Sequence, residues 1–259
     1  MAPLGHDRYC DEIIDQSGML RELVKGSEPS VPVPTCPGWT LASLVRHIGG
    51  NLRTVGTAVR TGTPVSDPAA QVAGLAGPGT DDWAELDAWF SEGAETYTAA
   101  LRAAGPDAEA TVWGFQGNTT FWVRRAVHDI VVHRADVALA VGGGYALAPE
   151  LAADAIDELL ELFKGQQAGG MPALAELRGS GETIGLKATD ADAAWLIELG
   201  ADGFTFGRAG GGEATVTMLG PLTDVLLTLY RRLPSGGGRV KVVGDSALLD
   251  FWLTRASLS

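Results

Sequence analysis

Four long segments in the first half of the chain repeat apolar side chains at offsets of three and four residues, the spacing of one face of an α-helix. The clearest begins after Thr40, a favourable N-cap, and carries its apolar stripe from Leu41 to Val59. The other three cover residues 7–25, 81–101 and 119–141. Long helices in succession with a few connecting loops predict a four-helix bundle.

Beyond residue 180 the pattern changes to short runs of β-forming residues separated by glycine and aspartate, which predict an antiparallel sheet. The runs cover residues 182–188, 194–199, 203–206 and 214–219. A glycine-rich stretch at 165–170 precedes the change and is the expected domain boundary. We therefore predict an α+β protein, with a helical bundle over residues 1–166 and a smaller α+β domain over residues 167–259.

Charge and the length of apolar runs argue against two kinds of partner. The chain has 32 acidic and 19 basic residues, a formal net charge of −13 and no local basic stripe, so nucleic acid is not an expected partner. A membrane partner is not expected either, because no segment reaches the roughly 18 consecutive apolar residues of a membrane span. The first thirty residues lack the apolar core of a secretion signal. The expected location is the cytoplasm, where Cys10 and Cys36 would be reduced thiols.

The segment RRAVHDIVVHRAD contains two histidines that cannot share a metal ion on one straight helix. His128 and His133 are five residues apart, which rotates one side chain by about 140° relative to the other. Asp129 and His133 are four residues apart, a rotation of about 40°, and therefore project from the same face as neighbouring ligands do. We expect that face to border the interior of the bundle.

A third candidate ligand lies on the second predicted helix. His47 stands beside Leu44 and Ile48 at the rim of the apolar stripe and is expected to face inward. His47, Asp129 and His133 would supply three nitrogen and oxygen ligands and leave one coordination position open, as catalytic rather than structural zinc sites do. The alternative is that an inward-facing histidine beside an aspartate is a hydrogen-bonded core residue that holds no metal.

Three stretches of the chain resemble one protein family over nearly the whole sequence. They are VPTCPGWTLASLVRHIGG, RRAVHDIVVHRADVALA and LLTLYRRLPSGGGRVKVVGDSALLDFWL. In order and spacing they are similar to stretches of the mycothiol-dependent maleylpyruvate isomerase family. The resemblance implies a DinB-like four-helix fold for the N-terminal domain and a sterol-carrier-like α+β fold for the C-terminal domain.

The same resemblance implies a metal site and a thiol cosubstrate. The family binds a divalent metal, usually zinc, through a histidine on the second helix and a carboxylate-x-x-x-histidine pair on the last bundle helix. These positions correspond here to His47, Asp129 and His133, and the implied thiol is mycothiol. The chain departs from the pattern at Asp129, where the isomerase has glutamate. The shorter side chain alters the reach of the carboxylate, on which the identity and affinity of the metal depend.

The catalytic residue that the resemblance implies is an arginine of the C-terminal domain. The family stretch L-W-G-R aligns with residues 229–232, which makes Arg232 the match. A guanidinium at this position would hold a carboxylate of the substrate or of the thiol in bidentate fashion. The alternative is a surface arginine that interacts favourably with the C-terminal end of its helix.

We also predict structural or pocket-lining roles for five further residues of the helical half. Arg134 falls on the apolar face of its helix and is expected to interact with a carboxylate on another helix. Trp39, Trp113, Phe115 and Trp122 are candidates to line a pocket over the metal, with ordinary core packing as the alternative.

Residues and resemblance together predict a metal-dependent enzyme that uses a small thiol to isomerise or S-conjugate a small electrophile. A metal acting as a Lewis acid lowers the pKa of a thiol that it binds. Two alternatives remain open: a thiol-independent metalloenzyme of the same fold in a biosynthetic pathway, and a non-catalytic protein whose C-terminal domain binds an apolar ligand. The expected partners are the electrophile and the thiol, and we expect a monomer or a homodimer.

Overall fold

The computed structural model describes residues 4–208 and 213–258, and contacts divide the chain into two compact units after Tyr145. The boundary predicted between residues 166 and 167 lies later in the chain. The helix Pro149–Ala168 accounts for the difference, because it packs against a helix and a strand of the second unit. Its apolar face is therefore part of the core of that unit.

The first unit is a bundle of four long helices with a short helix and a hairpin in its connections. Its elements are α1 (His6–Val24), α2 (Leu41–Thr61), α3 (Pro68–Gln71), α4 (Trp83–Ala104), β1 (Glu109–Val112), β2 (Phe115–Asn118) and α5 (Thr119–Val141). Helix α1 packs against α4 and α5, and α2 packs against the same two helices. The predicted four-helix bundle is therefore confirmed.

Capping side chains fix the starts of the two helices that carry the candidate ligands. The Thr40 hydroxyl accepts a hydrogen bond from the backbone N–H of Ser43, and the Ser43 hydroxyl accepts one from the backbone N–H of Thr40. At the start of α5, the Asn118 side chain accepts a hydrogen bond from the backbone N–H of Phe121. These caps satisfy N–H groups that the first helical turn leaves unpaired and define where each helix begins.

The hairpin of β1 and β2 turns at Trp113 and Gly114, whose φ angles are 52° and 80°. Both residues have φ angles in the left-handed region, as a two-residue type I′ hairpin turn requires. A tryptophan rarely adopts this backbone conformation. The strands are four residues each, too short for the hydrophobic pattern to indicate them.

The second unit packs helices against a mixed five-stranded sheet. Its elements are α6 (Pro149–Ala168), α7 (Pro172–Ala175), β3 (Glu182–Ala188), β4 (Ala194–Gly200), β5 (Gly203–Arg208), β6 (Val216–Gly220), α8 (Leu222–Leu229), β7 (Lys241–Gly244) and α9 (Ser246–Arg255). The strand order is β5-β4-β3-β6-β7. Helix α8 packs against α6 and against the central strands β3 and β6.

The prediction of a purely antiparallel sheet is wrong for one strand pair. Strands β3 and β6 are parallel, with Ile184 beside Val216, whereas the other three pairs are antiparallel. The chain forms the β4–β5 hairpin on one side of β3 and returns to its other side, and a return of this kind permits a parallel pair. The predicted α+β class, with the helical part first, is confirmed. Among the described residues, no helix has the length and apolar character needed to cross a membrane.

Candidate metal centre

Helices α2 and α5 bring together the three predicted metal ligands. Ligand atoms of His47, Asp129 and His133 lie within 4.8 Å of one another. The Nε2 atom of His47 is 3.7 Å from Oδ2 of Asp129, and Nε2 of His133 is 3.8 Å from Oδ1 of the same carboxylate. Neighbouring ligand atoms in a tetrahedral zinc site are roughly 3.4 Å apart, given zinc–ligand bonds of about 2.0–2.1 Å. The three side chains therefore fit an ion of this size with small movements.

The candidate site lies at the edge of the bundle rather than in its sealed interior. The side chains of His47 and Asp129 are 34% and 24% exposed, whereas that of His133 is 11% exposed. Asp129 and His133 are one helical turn apart on α5, and His47 approaches from the neighbouring helix α2. An external molecule can therefore reach the side of the site that the three residues leave open.

A buried carboxylate, Asp136, orients the ring of His133. Its Oδ2 atom lies 2.9 Å from Nδ1 of His133, and its Oδ1 accepts a hydrogen bond of 2.6 Å from the Thr35 hydroxyl. The Cys36 thiol donates to the same carboxylate at 3.4 Å. When His133 is neutral and its Nδ1–H donates to Asp136, the lone pair of Nε2 lies on the side of Asp129. A carboxylate that orients a histidine in this way supports metal binding in many sites.

The sequence analysis does not identify Asp136 as a functional residue, although its spacing from His133 could have indicated it. A carboxylate three residues after a proposed histidine ligand lies on the adjacent turn of the same helix face. That spacing alone does not show that the carboxylate is buried, nor that Thr35 and Cys36 donate to it.

The proline-rich loop before α2 carries three of the side chains around the site. Its ends are joined by backbone hydrogen bonds from Val33 N–H to the Trp39 carbonyl and from Leu41 N–H to the carbonyl of Val31. Thr35 and Cys36 of this loop hold Asp136. The Trp39 ring lies 4.8 Å from the ring of His47 and stacks at 5.8 Å on that of His133. One loop therefore supports both candidate histidines.

The ionisation of the three candidate ligands follows from their surroundings. Burial lowers the pKa of His47 and outweighs the opposing charge of Asp129, so this imidazole is neutral at pH 7. Burial also opposes the charge on Asp129, but the positive charges of His133 and Arg125 hold its pKa below the usual value. For His133, hydrogen bonds to Asp136 and Cys36 overcome the effect of burial and raise the pKa to about 9.

A second group with metal-binding spacing shares His133. It consists of Cys36, His133 and Asp136. The Asp136 carboxylate already accepts hydrogen bonds from Thr35 and Cys36 and pairs with Nδ1 of His133. The group of Cys36, His133 and Asp136 therefore supports His133, and the outer group of His47, Asp129 and His133 is the candidate metal site.

Two of the predictions about neighbouring residues of α5 agree with the structure. His128 is fully buried with its ring edge-on to that of Tyr9, on a different side of the helix from Asp129 and His133. The Arg134 guanidinium is buried 4.3 Å over the ring of Tyr145, and Glu12 of α1 is a carboxylate that interacts with it.

The four aromatic residues predicted to line a pocket separate into two places. Trp39 contacts the two candidate histidines. Trp122 contacts both Trp113 and Phe115 at the hairpin, where Trp113 and Phe115 are 49% and 53% exposed. Of the four, Trp39 is therefore the residue that borders the candidate metal centre.

Arg232, the predicted catalytic residue, belongs to the second unit. It follows α8 directly after Arg231, whose φ is 61°, and its Nη1 donates to the carbonyl of Tyr230 at 2.9 Å. Its role in catalysis stays a prediction.

Comparison with known protein families assigns both units. The family model of the mycothiol maleylpyruvate isomerase N-terminal domain matches residues 10–138, and that of the MDMPI C-terminal domain, named for the same isomerase, matches residues 150–251. The chain belongs to the mycothiol maleylpyruvate isomerase family. The N-terminal match contains the three candidate ligands, and the C-terminal match contains Arg232.

Solved structures of this isomerase share the fold. The crystal structure of the mycothiol-dependent maleylpyruvate isomerase aligns with 14% identity and a TM-score of 0.62, covering 93% of this chain and 95% of that one. A histidine-to-alanine mutant of that enzyme aligns with 13% identity and the same TM-score and coverage. Among curated proteins, none matches the sequence.

Proposed function

We propose that this member of the isomerase family is a metal-dependent enzyme that uses a small thiol, mycothiol, to isomerise or S-conjugate a small electrophile. The observation that carries the proposal is the convergence of His47, Asp129 and His133 with an open side. Three protein ligands and an open position are typical of catalytic zinc sites. Zinc is the divalent metal we expect, because two imidazoles and a carboxylate suit it.

Each residue of the centre has a defined task in this proposal. His47, which is neutral at pH 7, and Asp129, which is ionised, would hold the metal. Asp136 would keep Nε2 of His133 directed at the metal. Trp39 packs against both imidazole rings and would help to hold them in position. A bound metal of this kind supplies Lewis acidity, which lowers the pKa of a thiol.

The thiol sulfur is then the nucleophile toward a soft electrophile. Addition to a cis double bond, rotation about the resulting single bond and expulsion of the thiolate give cis–trans isomerisation with no net change in composition. If the sulfur stays and the adduct takes up a proton or loses a leaving group, the product is an S-conjugate. We propose that Arg232 binds a carboxylate of the substrate or of the thiol.

Metal analysis tests the site itself. We expect about one divalent ion per chain, and His133→Ala should lose most of it. His128→Ala is the matched control, because His128 lies on the same helix with its ring on Tyr9, away from the candidate ligands. Full metal content in His133→Ala, or none in the parent protein after zinc addition, would contradict the proposal.

Measurements of turnover test whether the reaction depends on the thiol. The metal-loaded protein should consume maleylpyruvate or a haloaromatic electrophile only when the thiol is present, and Asp129→Ala should abolish the rate. Arg232→Ala should raise the KM for substrate or thiol while the metal content stays unchanged. Turnover that ignores the thiol would indicate a thiol-independent metalloenzyme. Binding of an apolar ligand that survives metal removal, without turnover, would indicate a binding protein.

A further inference from the structure

Asn51 lies one helical turn after His47 on α2 and directs its amide at the candidate ligands. Its Nδ2 atom is 3.1 Å from Nε2 of His47 and 3.4 Å from Oδ2 of Asp129. The Asn51 atom facing Asp129 is the donor nitrogen, because the carboxylate oxygen is an acceptor. Asn51 thus donates to Oδ2 of Asp129, and it also donates to Nε2 of His47 when the proton of that imidazole is on Nδ1.

Metal binding therefore changes the hydrogen bonding of Asn51. A metal ion would take the one lone pair of His47 Nε2, so the amide hydrogen of Asn51 that faces this nitrogen would need another acceptor, whereas Asp129 would keep lone pairs for hydrogen bonding. The group at the remaining coordination position is a neighbour of both ligands and is the nearest candidate. Hydrogen bonds to ionised acceptors are stronger than those to neutral ones, so the amide favours an anion over water at that position.

Negative charge around the site disfavours an anionic ligand, and a nearby hydrogen-bond donor would offset part of that effect. The chain carries a net charge of −13, and two carboxylates, Asp129 and Asp136, contact His133. The Arg125 guanidinium, 4.0 Å from Oδ1 of Asp129, offsets part of this negative charge on one side of the carboxylate. Asn51 donates to the other carboxylate oxygen, Oδ2. Donors flanking Asp129 in this way favour an anionic ligand despite the overall charge of the protein.

We propose that Asn51 determines the specificity of the metal centre by donating a hydrogen bond to an anionic sulfur at the position that His47, Asp129 and His133 leave open. This inference rests on the proposed function, since it requires both the metal and a thiol. A neutral amide suits the role, because it stabilises an anion without adding negative charge. An aspartate at the same place would instead be a fourth protein ligand and would close the position.

Cobalt(II)-substituted protein provides readouts that do not depend on turnover. Its visible bands report metal binding, and a sulfur-to-cobalt charge-transfer band reports a bound thiolate. The probe is mercaptoethanol, titrated into the parent, Asn51→Ala and Asn51→Asp. The matched control is Thr57→Ala, a half-exposed position of α2 that is rotated by about 120° from Asn51 around the helix axis.

In Asn51→Ala we expect the thiol to bind about tenfold more weakly, because the loss of one hydrogen bond to a charged group costs about that much affinity. The affinity for cobalt should change less than threefold. Asn51→Asp should bind cobalt more tightly and lose the charge-transfer band. Thr57→Ala should match the parent in both measurements.

Unchanged thiol affinity in Asn51→Ala would overturn the inference and leave the proposed function intact. A tenfold or larger loss of cobalt in Asn51→Ala, with the thiol affinity of the loaded fraction unchanged, would also overturn it and would identify Asn51 as a ligand. A parent protein that takes up no cobalt would instead contradict the proposed function, and this inference with it.

Discussion

The buried hydrogen bonds of Asp136 provide a quantitative test of the metal centre. Asp136→Asn keeps the shape of the side chain but replaces one acceptor oxygen with a donor. The carboxylate is fully buried and binds His133 Nδ1 at 2.9 Å and the Thr35 hydroxyl at 2.6 Å. Removing a carboxylate that orients a metal-binding histidine typically weakens metal binding by about 10- to 100-fold. We expect a loss in this range for zinc.

The pH at which the affinity is measured decides how much of that loss is seen. Asp136 also helps to raise the pKa of His133 to about 9, so below that pH the metal must displace a proton. At pH 7 this displacement costs about 3 kcal/mol, because each pH step of one below the pKa adds about 1.4 kcal/mol. Asp136→Asn lowers the pKa and relieves part of this cost. The full loss should therefore appear near pH 9, and a smaller loss at pH 7.

Zinc affinity measured by competition with a chelator at both pH values checks this expectation. Tyr97→Phe is the stability control, because it removes another buried hydrogen bond, from the Tyr97 hydroxyl to the Trp122 carbonyl. Both variants should lose roughly 1–3 kcal/mol of folding free energy, but the control should bind zinc like the parent. A folded Asp136→Asn protein with parental zinc affinity at pH 9 would refute the orienting role of Asp136.

Two further predictions concern the bundle that holds the site. A Cβ on Gly49 would lie 2.3 Å from the Trp89 ring, whereas one on Gly18 would meet nothing within 4 Å. Gly49→Ala should therefore lower the free energy of unfolding by about 1–3 kcal/mol, and Gly18→Ala should raise it by about 0.5–1 kcal/mol; denaturant titration compares the two signs. Hydrogen bonds from Arg21 hold the pKa of Asp87 below its usual value, so this pair stabilises the fold at neutral pH and loses its effect as the pH falls through that lowered pKa. Asp87→Asn should lower the free energy of unfolding by at most about 1 kcal/mol at pH 7, because the side chains of Arg21 and Asp87 are both about a third exposed. A stability difference between variant and parent that grew on acidification would contradict this.

The helical half of the fold was accessible from the sequence because its signals are local. The apolar stripe of α2, the Thr40 cap and the glycine after Val141 act within a few residues of the helix ends. The sheet was harder to predict, because the parallel pairing of β3 with β6 depends on which side of β3 the chain returns to. The position of α6 depends likewise on long-range packing against α8, which periodicity alone does not reveal.

The candidate site was predictable where spacing on one helix decides which side chains meet. The four-residue step from Asp129 to His133 is of this kind, and the structure places both on one face. Asp136 and Asn51 also have simple helical spacings from candidate ligands, three and four residues. Their importance comes from burial and from partners on other elements, such as Thr35 and Asp129, and these follow only from the folded chain.

The loop that carries Thr35, Cys36 and Trp39 links the metal to the local stability of the backbone. Because these side chains hold the rings and the carboxylate of the centre, opening the loop would disorder the ligands. Thermodynamic linkage then requires the converse: a bound ion stabilises the closed loop by as much as the closed loop favours the ion. The hydrogen-bonded amides of Val33 and Leu41 should thus exchange with solvent more slowly in the metal-loaded protein than in the metal-free protein. Metal supply would in this way set how often residues 31–40 unfold.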